Sequence, residues 1–270
     1  MSDLVRLGRN ADGGYLLPRQ VLDDVTGCIS LGLGLEWSFE KDLLQIKKGE
    51  FSRDDIIFFD GTVSVLDIFK HLKYMALRTH HEIFTKKLQS LERKYKVEDL
   101  KRVLIGLFLF VPVFKFKNTK YTHIQKLVVK NPLKENECSL REALSYRQDL
   151  KNTIIKIDIE GGEWEILREL SDIDLISDAP VFIIEIHDSR REDFKILLSR
   201  LKVNFWLAHI HGNTSDRCDP ESGMPMYMEM TFVNKRYSPD PGIRKSLPID
   251  GLDFPGRPGE KPHEMVFKLG

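Results

Sequence analysis

The chain has 270 residues, 41% of them hydrophobic, which suits one large domain or two small ones around a real core. Forty-one basic residues balance forty-one acidic ones, so no global field recruits nucleic acid or an anionic membrane. Cys28, Cys138 and Cys218 are widely spaced and odd in number, and MSDLVRLGRN lacks an apolar signal core, so no disulfide framework and a soluble cytoplasmic protein are expected.

The first motif is Asp12-Gly13-Gly14 before Tyr15-Leu16-Leu17. It reads either as a plain hairpin turn into a short strand or as a ligand contact. It begins almost at residue 1, which leaves open one domain of a longer chain.

A short apolar strand, Gly27–Leu31, runs into Gly32-Leu33-Gly34-Leu35-Glu36-Trp37. The helix expected next carries Leu35, Phe39 and Leu43 on one face. Strand, glycine loop and helix form a nucleotide-cradling order. Two features disfavour NAD and ATP. Trp37 stands where a dinucleotide fingerprint wants its third glycine, and Glu36 places an anion at the helix N-terminus. A nucleoside ligand without phosphate is not disfavoured, and S-adenosylmethionine, with its cationic sulfonium, is one.

Ile56–Phe59 is the second strand expected, and it ends in Asp60-Gly61. An acid there is placed to accept hydrogen bonds from ribose hydroxyls. Asp60 follows Gly34 by 26 positions, beyond the usual ~20, and the loop Lys47–Asp55 accounts for the excess. The alternative is an acid that starts a turn.

Residues 63–120 read as a helical insertion, with leucines and phenylalanines spaced along Val65–Leu91. Val103–Phe114 is the longest apolar run and is too short to span a bilayer, so no transmembrane segment is expected. Its basic flanks allow a membrane-interface contact, and core packing or a homo-oligomer contact is the other reading.

His123–Val129 is a third strand candidate, and a helix starts at Leu140. Asn152–Leu170 is the centre of the pattern. Ile154, Ile155, Ile157 and Ile159 read as a buried strand, and Trp164, Leu167 and Leu170 recur at helical spacing. Between them lie Asp158, Glu160, Gly161 and Gly162. Two carboxylates at the carboxyl end of a buried strand mark the edge of a site, or else cap the helix. Val181–Ile186 is another buried strand, with His187-Asp188 at its end. A helix over Arg191–Leu201 and a strand over Phe205–Ile210 follow, leading to His209, His211, Gly212 and Asn213. Glu229–Val233 is the last strand. Residues 238–262, rich in proline and glycine, should wrap the surface without helix.

Alternating strands and helices with charged strand ends imply a doubly wound α/β sheet with helices on both faces. The chain resembles the FkbM family of class I methyltransferases in KIDIEGGEWEIL (Lys156–Leu167), IIEIH (Ile183–His187), HIHGN (His209–Asn213), and GRNADGGYLLP with SLGLG. The resemblance implies a single Rossmann-like domain over residues 1–270 with a seven-stranded sheet that includes an antiparallel hairpin strand. It implies S-adenosylmethionine as cofactor and methyl transfer to a hydroxyl oxygen, most often of a sugar or glycan. Gly32 and Gly34 match the family's glycine loop, Asp60 its ribose acid, and Asp158 and Glu160 its central acids. Asp12, Gly14 and Tyr15 match the opening motif. Glu36 and Gly61 join the expected cofactor contacts from their places beside these residues.

Asp158, Glu160, His187 and His211 are the candidates to receive the acceptor's proton. Imidazole titrates near neutrality, and His187 is preferred, with His211 orienting the acceptor beside Asn213. Some related sugar methyltransferases need a divalent metal. Asp158, Glu160 and His187 would then be the ligands, carboxylate oxygen plus imidazole nitrogen. An oxidoreductase and a non-catalytic interaction module are the competing functions. Nucleic-acid amino methylation is disfavoured, because no Asp/Asn-Pro-Pro-aromatic motif is present.

Overall fold

The computed structural model describes residues 3–11, 13–32, 34, 36–47, 51, 55–62, 121–214, 218–237, 239, 246–256, 260–261 and 263–266. Asp12, Leu35, the insertion over 63–120 and its apolar run Val103–Phe114 lie outside them. Among the described residues, no helix is long and apolar enough to cross a membrane.

The chain opens with a hairpin, β1 (Leu4–Leu7) and β2 (Tyr15–Pro18), in which Leu7 faces Tyr15. Next come β3 (Gly27–Leu31), α1 (Ser38–Ile46) and β4 (Ile56–Phe59). β5 (Thr122–Ile124), β6 (Leu127–Val128), β7 (Glu137–Cys138) and α2 (Leu140–Ser145) follow. β8 (Thr153–Ile157), α3 (Glu163–Ile166), α4 (Leu170–Ile176) and β9 (Val181–His187) form the centre. α5 (Glu192–Asn204), β10 (Phe205–Gly212) and β11 (Tyr227–Asn234) complete the main body. β12 (Ser246–Leu247) pairs with β13 (Met265–Val266).

Seven strands make one sheet in the order β10-β11-β9-β8-β3-β4-β5. The five from β9 to β5 run parallel, and β11 runs antiparallel to both of its neighbours. The chain leaves β3 toward β4 on one side and later returns to β8 on the other. A crevice opens at such a reversal, outside the carboxyl ends of the strands.

β3, β4 and β8 are buried along their whole length, which is why they are mostly apolar and do not alternate with polar residues. Alternate residues serve opposite layers. Ile155, Ile157, Phe182 and Ile184 pack with α2 to α5, while Ile154, Val181 and Ile183 pack with α1 and the hairpin. The same period puts Lys156, Glu185 and His187 on the hairpin side.

Three expectations need correction. The strand expected over His123–Val129 is two strands: a turn from the Lys126 amide to the Ile124 carbonyl, 2.8 Å, ends β5 and redirects the chain to pair with β7. The helix expected to reach Leu170 stops at Ile166. Glu169 and Asp172 form a reciprocal capping box that starts α4, and Leu170 is exposed at its head. The C-terminal wrap over 238–262 is not confined to the surface, because Leu247 and Asp253 are buried.

Candidate active site

A cavity of about 520 Å³ lies at the carboxyl ends of the central strands, a size suited to a small organic ligand. Gly32, Gly34 and Glu36 line it after β3, Asp60, Gly61 and Thr62 after β4, and Asp158, Glu160 and Gly162 after β8. Glu185 and His187 enter from β9, Tyr227 from β11, and Asn213 from the end of β10. Tyr15 and Gly13 of the hairpin wall the side, and Leu127, Val128 and Val129 supply apolar surface near Asp60.

The glycine loop is shaped by close approach. Gly32 has φ +78°, and a Cβ there would lie 1.7 Å from the Asp158 carbonyl oxygen, so only glycine lets β3 pass β8 at this height. Asp60 fixes the next turn, accepting from the Gly34 amide (2.7 Å) and from the Thr62 amide and hydroxyl (2.7 Å each). Glu36 accepts from the Ser38 amide at 2.9 Å and pairs with Arg9 at 3.1 Å. The head of α1 is therefore already occupied by a carboxylate. Trp37 is absent from the cavity wall and packs 6.2 Å from the Tyr121 ring.

Lys156 lies in the floor and is almost fully buried. Its ammonium is 3.7 Å from Glu40, 3.8 Å from Asp158 and 5.3 Å from the centre of the Tyr15 ring. Burial alone would lower its pKa, but Glu40, Asp158, Cys28 and Glu185 outweigh that and raise it, so Lys156 stays charged. Tyr15 donates to Asp158 at 3.4 Å. Asn213 donates to the buried Glu185 at 3.0 Å.

His187 is oriented from behind by Glu163, whose side chain is fully buried on α3. Glu163 accepts the His187 backbone amide at 2.9 Å and lies 3.1 Å from Nδ1. The Trp164 indole donates to the His187 carbonyl at 2.6 Å. Nδ1 faces Glu163 and Nε2 faces Glu160 at 3.4 Å on the cavity side, so the ring stands between two carboxylates. Burial would lower the His187 pKa, yet the hydrogen bond and charge of Glu163, with Glu160 and Asp158, raise it. Glu160, at φ +52°, and Asp188, at φ +69°, are the non-glycine residues with positive φ among the described residues. Glu160 lines the cavity and Asp188 directly follows His187, and strained backbone often accompanies function.

The structure brings Gly32, Gly34, Glu36, Asp60, Gly61, Tyr15, Asp158, Glu160 and His187 to one cavity. It does not bring His211 there: that ring faces Asp253, 3.5 Å from Nδ1, and is buried beside the C-terminal segment. Gly14 stays out of the wall, packed against the Arg9 carbonyl and the Arg6 guanidinium. The expected metal ligands also change. One donor atom each from Asp158, Glu185 and His187 falls within 4.8 Å of the others, whereas the Glu160 side chain is 89% exposed. Lys156, Glu163 and Glu185 were missed as site residues. A charge inside a strand of isoleucines is itself the signal that could have found Lys156 and Glu185, since such a group is buried only with partners.

Residues 129–221 match the family model of the methyltransferase FkbM domain. This match supports a methyltransferase family for these residues. The match supports methyl transfer as the chain's chemistry. The FkbM span holds Asp158, Glu160, Glu163, Glu185, His187 and Asn213, while the glycine loop and Asp60 precede it. No curated protein matches the chain. Two crystal structures of a Streptococcus pneumoniae protein, provisionally named a tRNA (m1A22) methyltransferase, are similar to it. The one in complex with S-adenosyl-L-methionine is 10% identical with a TM-score of 0.34, covering 79% of this chain and 70% of that chain. The other is 11% identical with a TM-score of 0.34, covering 79% and 67%.

Proposed function

We propose that the chain is an S-adenosylmethionine-dependent O-methyltransferase of the Rossmann-like class I type, one domain over residues 1–270, acting on a sugar or glycan hydroxyl. The observation that carries this reading is His187: Nε2 is offered to an acid-lined cavity by a buried Glu163 that fixes the ring. Five carboxylates, Glu36, Asp60, Asp158, Glu160 and Glu185, face two ammonium groups, Lys126 and Lys156, in the cavity wall. That balance favours a cationic ligand over a phosphorylated one. S-adenosylmethionine, when bound, supplies a methyl group on a sulfonium leaving group. The glycine loop and Asp60 bind the nucleoside end, and Leu127 to Val129 exclude water there. Asp158, held by Tyr15 and Lys156, keeps a fixed negative charge near the cation. His187 Nε2 receives the hydroxyl proton as the new carbon–oxygen bond forms, and Glu163 stabilises the imidazolium that results. The sugar assignment is supported by the family resemblance, together with a wall whose acids would repel an anionic acceptor.

A second reading of the proton step has its own observation. Asp158, Glu185 and His187 offer two oxygens and one nitrogen, a donor set that fits a small divalent cation. The Lys156 ammonium, 3.8 Å from Asp158, works against that charge.

Two experiments test these readings. S-adenosylhomocysteine should raise the melting temperature while NAD and ATP do not, because a ligand that binds only the native state stabilises it. Stabilisation by NAD or ATP alone would overturn the cofactor assignment. Single-turnover methylation of a polyol and glycan panel, with and without chelator, then separates imidazole from metal as the proton's destination. Activity that survives chelation and is lost in His187→Ala supports His187.

A further inference from the structure

The C-terminal segment over 246–256 does not line the cavity, yet it is bonded to the pieces that do. Asp253 is buried, and its carboxylate receives three groups. His209 Nε2 lies at 2.9 Å, His211 Nδ1 at 3.5 Å, and the Ile249 amide donates at 2.7 Å. The preceding carbonyl, Leu252, accepts from Arg6 Nη1 at 3.0 Å, and the Arg6 guanidinium lies over the Phe254 ring, 5.2 Å from its centre. The rest of that guanidinium holds the hairpin turn: Nε donates to the Arg9 carbonyl at 2.9 Å and Nη2 to the Ala11 carbonyl at 2.8 Å. One planar cation thus joins a turn near the start of the chain to a segment 246 positions later.

The turn matters because of what it presses on. Gly13 has φ +84°, and a Cβ there would stand 2.4 Å from the Cγ of Glu36, itself a cavity wall. The Gly13 amide points at the buried Glu229, 3.5 Å away. At its far end the same C-terminal segment reaches the cavity a second time. The Gly256 amide donates to the Thr214 hydroxyl at 2.9 Å, and a Cβ on Gly256 would stand 2.9 Å from the Asn213 side-chain oxygen.

We propose that Arg6 is a positioning residue that locks the turn bearing Gly13 to the C-terminal segment anchored at Asp253, so that this segment sets the shape of the ligand site without lining it. The affinity consequence rests on the reading that the cavity takes S-adenosylmethionine. The coupling of segment to turn does not.

The test uses the full chain, with S-adenosylhomocysteine as probe, by calorimetry well below each variant's melting point. Arg6→Ala should weaken binding roughly tenfold or more, within the usual range for coupling between a site and a residue outside it. Asp253→Asn leaves Arg6 in place and cuts the anchor, and should weaken binding roughly fivefold or more through the coupling alone. Tyr237→Phe removes a hydroxyl that donates to the Lys151 carbonyl at 2.5 Å, away from the cavity wall, and should leave affinity unchanged whatever it does to stability. Amide hydrogen exchange without ligand supplies the independent readout: residues 8–14 should exchange faster in Asp253→Asn than in the parent. Faster exchange there supports the coupling even if the parent fails to bind S-adenosylhomocysteine, a failure that would count against the cofactor reading alone. Parent-like exchange over 8–14 in Asp253→Asn, or parent-like affinity despite faster exchange, would overturn the proposal.

Discussion

Two regions of this molecule set histidine against carboxylate near the ends of β9 and β10, strands with β11 between them, and they differ in what the ring faces. Around His187 the carboxylate, Glu163, lies behind the ring, and the second nitrogen meets the cavity. Around His211 the carboxylate, Asp253, is shared with His209, and the rings bury themselves against the C-terminal segment. In both, burial opposes the charged imidazole, and a carboxylate overcomes it and raises the pKa. The lesson is that a perturbed histidine identifies a partner, and what its second nitrogen faces separates a cavity residue from an architectural one.

The sharpest way to break this comparison is to remove each ring. His187→Ala should keep cofactor affinity and slow single-turnover methyl transfer by roughly 10²–10⁴, the usual contribution of a positioned acid or base. His211→Ala should leave that step within a few-fold of the parent. Equal losses at both positions would erase the distinction.

A large effect on stability should come from the cavity floor. Lys156→Met leaves Glu40 and Asp158 without their buried cation, and unfolding free energy should fall by about 3–5 kcal/mol in denaturant titration. The double variant Glu40→Gln with Lys156→Met should recover part of it, because the more deeply buried of the two uncompensated charges is gone.

Asp60→Ala should cost about 1.5–3 kcal/mol of S-adenosylhomocysteine affinity by calorimetry. The three donors Asp60 now receives would be released as well, so a smaller loss of melting temperature should accompany the change.

The smallest expected effect is a pH dependence confined to the His211 region. Asp253 is held well below the ordinary carboxylate range: burial would raise it, but the hydrogen bonds from His209 and His211 prevail. A depressed acid contributes stability above its unfolded pKa of about 3.9, lost as pH falls through its folded value. A raised histidine contributes below its unfolded pKa of about 6.5, lost as pH rises through its folded value. The groups facing this pair are His209, Glu229 and Arg6. The stability difference between parent and His211→Asn should therefore be largest between these limits and shrink above neutrality. A difference that grows with pH would contradict the assignment.

Much of the sheet was legible because parallel strands buried on both faces must be apolar throughout. β4, β8 and β9 announce themselves by their isoleucine and phenylalanine content, and β3 by lying just before the glycine loop. The break between β5 and β6 was not legible, since it depends on a turn at Lys126 and on pairing with β7. Within the site, Gly32, Gly34 and Asp60 were readable from local order along one strand–loop–helix unit. Glu163 was not, because its role depends on β8, α3 and β9 meeting in space. His211 misled for the same reason in reverse: its place at a strand end was right, and its partner came from residue 253, 42 positions further on.

The central claim is that this cavity binds S-adenosylmethionine through the glycine loop and Asp60. Calorimetric titration of S-adenosylhomocysteine into the parent and into Asp60→Ala tests it most directly. The account predicts saturable one-to-one binding by the parent and affinity at least roughly tenfold weaker in the variant. No binding by the parent, or equal affinity in the two proteins, would contradict it.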